Sequence, residues 1–328
     1  MRILVTGATG FLGGNMLKML AKRFGIGNII GTGRNIVQSE ILRAEGYNIY
    51  PGDLCSVDFV KSQFKNIDCL VHCAAKSSLW GKYEDFYQDN VVATLNLLEY
   101  IKDLKSFVYI STPSIYFEYK DKYMISEDSK LPSRFVNHYT ATKYMAEKEV
   151  LNFVKPGMVK TVLRPRAIVG AGDTVIIPRL IKAYKAGKLR IIGPGSNISD
   201  FSSVKNVAHA AYLALTTDND IDGKIFNITD GQALPMWSMI EDTLNKLGLD
   251  SKLKRVPYRP VKIIAGFYEL INRLILKEEP VLTSYGVGLL RFSCTLDISQ
   301  ARKLLGYEPI ISTEESIGEF IKQYLKNE

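Results

Sequence analysis

The run Ile3-Leu4-Val5-Thr6-Gly7-Ala8-Thr9-Gly10-Phe11-Leu12-Gly13, continued by Met16, Leu17 and Leu20, decides how the rest of the chain is read. Three apolar residues make a strand, three glycines spaced by three make a turn, and the apolar residues after them recur at helical spacing. Gly7 can adopt backbone angles closed to other residues, Gly10 lets an anion approach the main chain, and Gly13 lets the new helix pack closely on the strand. The helix start then offers free N–H groups and a partial positive charge. Strand, glycine turn and helix in that order form a phosphate cradle, completed by Thr9, Phe11 and Leu12.

The 328 residues suffice for a substantial core, in one large or two closely joined domains. A hydrophobic share of 46% with 23% charged residues is that of a globular protein. The formal charge of +8 comes from scattered Lys and Arg, without a basic block or an aromatic-interleaved patch, which argues against a nucleic-acid partner. Cys55, Cys69, Cys73 and Cys294 have no paired spacing and sit mostly in apolar runs, as reduced thiols of a cytoplasmic protein do. His72, His138 and His209 are far apart in sequence, so no metal site is expected. The first strand begins at once, leaving no room for a signal peptide.

Short β-rich runs at 28–33, 47–50, 68–73, 106–111, 159–164 and 224–228 alternate with helical stretches. That alternation predicts an α/β fold with a doubly wound parallel sheet. Phe86, Asn90, Val91, Thr94, Leu97, Leu98, Ile101 and Leu104 predict one long helix with a single buried face. Beyond about residue 165 glycines and prolines punctuate the chain, and a smaller, mainly C-terminal α/β domain is expected. The division expected is 1–165, with a segment returning near 200–230, against 166–199 and 231–328.

The wide glycine spacing resembles the extended branch of the short-chain dehydrogenase/reductase superfamily, whose first domain is a Rossmann-type dinucleotide fold. Two further stretches resemble it. Gly52-Asp53-Leu54 follows the third strand, where the family uses Asp and its neighbour around the adenine. His72-Cys73-Ala74-Ala75 ends the fourth, where small residues let the backbone lie against the cofactor. The second strand ends in Gly33-Arg34-Asn35, and no Asp or Glu occurs before Glu40. A carboxylate at this strand end would bind both ribose hydroxyls, whereas an arginine accommodates a 2′-phosphate. Arg34 therefore favours NADP(H), with NAD(H) second, and its alternative is a plain surface residue.

Tyr139-Thr140-Ala141-Thr142-Lys143 places a phenol and an ammonium one helical turn apart on one face. A nearby cation lowers a phenol's pKa from ~10 towards general acid/base use. Upstream, Ser111-Thr112-Pro113-Ser114 follows an apolar strand, and hydroxyls at the carboxyl end of a parallel strand face the ligand crevice. They could equally cap a turn. The resemblance makes Thr112 the carbonyl-polarising hydroxyl, Tyr139 the proton donor and Lys143 the partner of the nicotinamide ribose. It turns Pro165 and Ile168 towards the nicotinamide, and leaves Ser114 and Trp80 for substrate.

Stretches 78–86, 163–173 and 200–210 look like the 3β-hydroxysteroid dehydrogenase family, with reductases of 2-alkyl-3-oxoalkanoates among its bacterial relatives. The resemblance implies a large apolar substrate and a homodimer. Nucleotide-sugar epimerases or dehydratases are the alternative, although they commonly carry an Arg where this chain has Ser199; other arginines, such as Arg291, could replace it. A non-catalytic NADP-binding regulator is a further alternative, disfavoured because Tyr139 and Lys143 are both present. The segment from Val261 to Leu276 is strongly apolar, but Lys262, Glu269 and Arg273 argue against a membrane span. Core packing is the expectation for it; a substrate cavity wall, a subunit contact or a peripheral membrane contact are the others.

Overall fold

The computed structural model describes residues 1–272, 280 and 282–327. Its centre is a seven-stranded sheet in the order Lys224–Ile228, Val159–Pro165, Ser106–Ile110, Cys69–His72, Ile3–Thr6, Ile29–Gly33, Asn48–Pro51, with every neighbour parallel. Helices cover both faces, so the inner strands carry near-continuous apolar runs: Ile3, Leu4, Val5, Leu70, Val71, Phe107 and Val108 are all buried. Pro51 sits on the outermost strand, where its missing N–H costs no ladder bond. The strand order reverses beside Ile3–Thr6, which opens a crevice at the carboxyl ends of the strands.

The six expected strands are present within a residue or two of their predicted bounds. The long helix is not uniform: Tyr83–Tyr87 runs through a π-helical turn, Gln88–Val92, into Ala93–Tyr100. It ends before Ile101 and Leu104, which are buried in the chain that follows. The wide turn brings Asn90 inward, where its Nδ2 donates to Thr142 Oγ1 at 3.0 Å and its Oδ1 accepts from Lys76 N at 2.7 Å.

A second sheet of four strands runs in the order Leu234–Pro235, Ile198–Ser199, Cys294–Leu296, Lys122–Ile125. Two parts of the chain fall outside the division expected from sequence. Lys122–Ile125 leaves the first 165 residues to pair with Cys294–Leu296, fixed by bonds from Lys122 N to Ser293 O and from Met124 N to Thr295 Oγ1. Conversely Ile298, Ala301, Leu305 and Tyr307 pack into the core of the large sheet, because the helix Ser299–Leu305 turns its apolar side towards Phe226 and Ile228. A separate core, including Val169, Ile177, Ile192, Trp237, Ile240 and Ile317, holds the second unit together.

The expectation of core packing fails for the apolar segment. In the helix Tyr258–Ile271 only Ala265 is buried, while Ile263, Ile264, Phe267, Tyr268 and Leu270 are exposed. The inward contacts come from Tyr258, Val261 and Ala265, too few to draw in the whole apolar circumference. Arg273, Leu274, Ile275 and Leu276 lie outside the described residues. Among the described residues no helix is long and apolar enough to cross a membrane.

Candidate active site

Gly7 has φ +68°, and a Cβ there would lie 2.9 Å from Ala74 N; a Cβ on Gly13 would lie 2.1 Å from Gly7 O. Only glycine fits either place. The helix Phe11–Phe24 starts from Gly10 with no side-chain cap and no acid in its first turn, so its leading N–H groups face the crevice unshielded. A dinucleotide diphosphate fits this cradle, which a capping side chain or a Cβ would fill. The neighbouring turn is tied in place. Ala74 N donates to Thr6 Oγ1 at 3.1 Å, Thr6 Oγ1 lies 2.6 Å from His72 Nδ1, and His72 Nε2 lies 3.0 Å from Thr94 Oγ1. Since Thr94 Oγ1 donates onward to Asn90 O, the imidazole is assigned as neutral with its proton on Nε2. Burial, helped by the Lys143 charge, holds its pKa down at about 3.

The ribose end differs from the sequence expectation. Arg34 Nη1 and Nη2 each bind one Asp89 carboxylate oxygen at 3.0 Å, so the carboxylate missing from the local sequence arrives from the π-helical turn. The hydrogen bonds to Asp89 raise the Arg34 pKa further. Asn35 caps the helix Ile36–Ala44, its Oδ1 accepting from Gln38 N at 3.0 Å. Asp53 turns back on its own loop, accepting from Cys55 N at 2.9 Å, and Leu54 O accepts from the buried Asn96 at 2.9 Å. Thr9 covers Gly33, where a Cβ would come within 2.1 Å of its Oγ1.

The tyrosine and lysine lie on the helix His138–Asn152, capped by Asn137, whose Oδ1 accepts from Thr140 N at 2.8 Å. Glu147, two turns below Tyr139, anchors the helix: it accepts from Ser111 Oγ at 2.5 Å and from Arg164 Nε at 3.1 Å, with Arg164 Nη2 on its other oxygen. The helix is thereby locked to the two strands that end at the site. The Thr112 hydroxyl lies near enough to the Tyr139 phenol to favour its ionised form, and Thr112 Oγ1 donates to Ser114 Oγ at 3.0 Å. Thr112 also caps a turn, as the sequence allowed: its Oγ1 accepts from Ser114 N at 3.2 Å at the start of Pro113–Tyr116.

The electrostatics reverse one expectation. Lys143 is buried, its Nζ donates to Ile110 O at 2.6 Å, and it stands 4.1 Å from the Tyr109 ring centroid. Burial lowers its pKa to about 7, against the smaller pull of Cys73 and Glu147. Tyr139 is partly exposed, yet the protein packed around it pushes its pKa up to about 12, with only the nearby Thr112 hydroxyl opposing. The lysine thus does not depress the phenol here, because its charge is turned to a carbonyl and is itself weakened by burial.

Two residues that sequence reading did not single out complete the cluster. Tyr285, buried on the helix Ser284–Arg291, donates to Ser114 Oγ at 2.7 Å. Nothing in its local sequence marks it, since the link spans 171 residues. Arg166 is 6% exposed, and its Nη2 donates to Ser199 Oγ at 3.2 Å. Ser199 therefore has a cation beside it after all, delivered from the turn after Val159–Pro165. Arg291 is engaged elsewhere, packed over Gly193 and Phe292. Between Pro165 and Ile168 the backbone of Ala167 has φ +44°, a strained conformation at the edge of the crevice. Ile168 pairs with Ser202. Trp80 is held in its loop by a bond from its N to Ser78 Oγ at 3.1 Å and is half-buried.

A glycine cradle at the switch point of a parallel sheet, facing a tyrosine–lysine helix and strand-end hydroxyls, defines a dinucleotide oxidoreductase class. The sequence pattern of the NAD dependent epimerase/dehydratase family matches residues 3–229, and the chain belongs to that family, within the extended short-chain dehydrogenase/reductase superfamily. It is 36% identical to the uncharacterized protein YbjS of Escherichia coli (strain K12), over 97% of this chain and 96% of that one. It is 32% identical to 2-alkyl-3-oxoalkanoate reductase of Shewanella oneidensis, over 95% of this chain and 84% of the relative. Its fold is similar to that of UDP-glucuronic acid 4-epimerase from Bacillus cereus, solved in complex with NAD: TM-score 0.72, 24% identity, covering 100% and 99% of the two chains.

Proposed function

We propose that this oxidoreductase interconverts a 3-oxo and a 3-hydroxy group on a large apolar substrate. The observation that carries the reading is the placement of the Thr112 hydroxyl by the Tyr139 phenol at the carboxyl end of the sheet, beside the glycine cradle. The likeness to a 2-alkyl-3-oxoalkanoate reductase supports the substrate class.

A bound nicotinamide supplies the hydride in reduction and takes it up in oxidation. Gly7, Gly10 and Gly13, with the N–H groups of the first helical turn, would hold the diphosphate; Ala74 and Ala75 would border the cofactor, and Lys143 would reach its ribose. Thr112 would orient the substrate carbonyl by turning its one hydroxyl proton from Ser114 Oγ to the carbonyl oxygen. Tyr139, with a pKa raised to about 12, is protonated at neutral pH and so stands ready as the acid that gives the oxygen its proton. In the reverse direction the same oxygen returns the proton. Glu147 and Arg164 fix the angle at which Tyr139 meets Thr112.

For the cofactor, Arg34 supports NADP(H). Its pair with Asp89 is largely exposed on the arginine side, and such pairs contribute only ~0–1 kcal/mol, so a 2′-phosphate can displace the carboxylate. The position of Asp89 supports a second reading, NAD(H), with that carboxylate on the ribose hydroxyls. The four unpaired cysteines agree with a reducing, cytoplasmic setting.

The test is Tyr139→Phe assayed with long 2-alkyl-3-oxo acids, 3-ketosteroids and UDP-sugars. Turnover of the oxo acid should fall at least ~10²-fold while cofactor binding persists. Near-normal turnover in the variant would reassign the acid, and epimerisation of a UDP-sugar without reduction of any lipid-like ketone would overturn the substrate class.

A further inference from the structure

The helix Tyr258–Ile271 is built inside out. Tyr258, Lys262, Ala265 and Glu269 recur at four and three residues and form the stripe that meets the protein. Of the charged residues in the helix, Lys262 and Glu269 lie on that inward stripe and are engaged there. Lys262 Nζ stands 4.2 Å from the Tyr119 ring centroid, and the Glu269 carboxylate accepts from Ser284 N and Ser284 Oγ, each at 2.8 Å. Ile263, Phe267 and Leu270 recur at the same spacing on the opposite side, with Ile264 beside them, and Ile263 is 73% exposed and Phe267 62%. A helix at a watery surface shows the reverse pattern, apolar side in and charged side out. A single exposed apolar residue needs no explanation, but a contiguous stripe marks a surface that meets something other than water.

The charge around the stripe selects what it meets. Lys252, Lys254, Arg255 and Arg259 are exposed just before the helix and at its start, and no Asp or Glu occurs between Asp250 and Glu269. A second copy of this chain seated on the stripe would bring the same cations and, with Glu269 turned inward, no acid from the helix to meet them. An anionic lipid surface answers both parts. Acyl chains take the apolar stripe and phosphates take the cations, each Lys or Arg strengthening attachment roughly 5-fold. Tyr268, exposed at the border of the stripe four residues after Ile264, suits the headgroup level, where a ring can be apolar on one side and wet on the other. Among the described residues no helix is long and apolar enough to cross a membrane, so the attachment is along the surface.

We propose that the helix Tyr258–Ile271 seats the protein on an anionic lipid bilayer, with its outward stripe among the acyl chains and the cations at the phosphates. The helix is close to the catalytic cluster: Glu269 holds Ser284, whose neighbour Tyr285 donates to Ser114, and Lys262 rests on Tyr119, whose ring lies 5.0 Å from that of Phe117. Docking would thus bring lipid beside the substrate side of the site. The docking itself stands on the helix and its charges, not on the substrate class proposed above.

The experiment is vesicle flotation of the full-length protein, on phosphatidylcholine alone and on phosphatidylcholine mixed with phosphatidylglycerol. Partitioning onto the mixed vesicles should exceed that onto phosphatidylcholine by on the order of 10²-fold and should fall in high salt. Ile263→Asp combined with Phe267→Asp should lower it at least ~10-fold. Both side chains are exposed, so the denaturation midpoint of this variant should stay that of the parent. Lys254→Glu combined with Arg259→Glu should remove most of the preference for the anionic lipid and leave binding to phosphatidylcholine as it was. Absence of flotation with either vesicle overturns the proposal, as does flotation that the paired Asp exchanges leave unmoved. An oligomer seen by light scattering that those exchanges dissolve to monomers, together with no flotation, assigns the stripe to a second copy and also overturns it. None of these readouts involves turnover, so failure here leaves the proposed oxidoreductase reaction standing, and failure of that reaction leaves the docking standing.

Discussion

Replacing Gly13 by alanine sets two effects of opposite sign against each other. In an exposed helix the exchange stabilises by ~0.5–1 kcal/mol, because alanine loses less backbone freedom on folding. At position 13 the new Cβ would stand 2.1 Å from Gly7 O and 2.4 Å from Gly7 C, both backbone atoms that cannot swing aside. Loop and helix must separate by roughly 1 Å to reach ordinary contact, and overpacking of this kind costs ~1–3 kcal/mol. The clash outweighs the propensity gain, so a net loss of about 1–2 kcal/mol is expected by denaturant titration. The same displacement moves the leading N–H groups by a third of a hydrogen-bond length, enough to weaken one or two charged contacts and lower dinucleotide affinity ~10- to 100-fold. Gly318→Ala is the internal control: it lies in the helix Thr313–Asn327 with nothing within 4 Å of the added Cβ, and should gain up to ~1 kcal/mol without touching affinity. A Gly13→Ala protein as stable as its parent and binding NADPH or NADH equally well would refute the close-approach argument.

Glu147→Ala strands the buried Arg164 charge and should cost ~3–5 kcal/mol, read as a lowered denaturation midpoint, together with loss of turnover as the tyrosine helix loosens. The His72 pKa is depressed from 6.5 to about 3, so between those values the unfolded chain binds the extra proton; stability should fall as pH drops below 6.5, by up to ~1.4 kcal/mol per unit from this group, and His72→Gln should flatten that slope in pH-dependent urea titrations. Asp89→Asn releases the Arg34 fork and should raise the NADPH-to-NADH affinity ratio, whereas Arg34→Ala should lower it; unchanged ratios in both would remove this pair from cofactor choice.

What the sequence disclosed follows the range of the forces involved. The glycine cradle and the inner strands are local signals: three apolar residues and three glycines within eleven positions suffice, and the tyrosine–lysine spacing needs only the helical period. The second sheet was illegible because Ile198–Ser199 and Leu234–Pro235 are two residues long, too short for any alternation to register. The partners that decide the chemistry come from far away: Asp89 to Arg34 across 55 residues, Arg166 to Ser199 across 33 and Tyr285 to Ser114 across 171. The predicted effect of Lys143 on Tyr139 failed for a related reason. Spacing places two side chains on one face, but burial and the Ile110 carbonyl determine how much charge the lysine carries and where it points.

The strand Lys122–Ile125 also bears on how the chain reaches this structure. Its ladder partner is Cys294–Leu296, and Ser293 N closes onto Asp121 Oδ1 across 172 residues. During synthesis from the N-terminus, the glycine cradle and its sheet neighbours can assemble early, whereas this strand waits as an open edge until nearly the whole chain has emerged. Loop closure over such a span is slow, and an unpaired edge invites pairing with other chains. Truncation before Cys294 should therefore yield aggregation instead of a working half-protein, and the bond from Tyr285 to Ser114 likewise forms only after residue 285 has emerged.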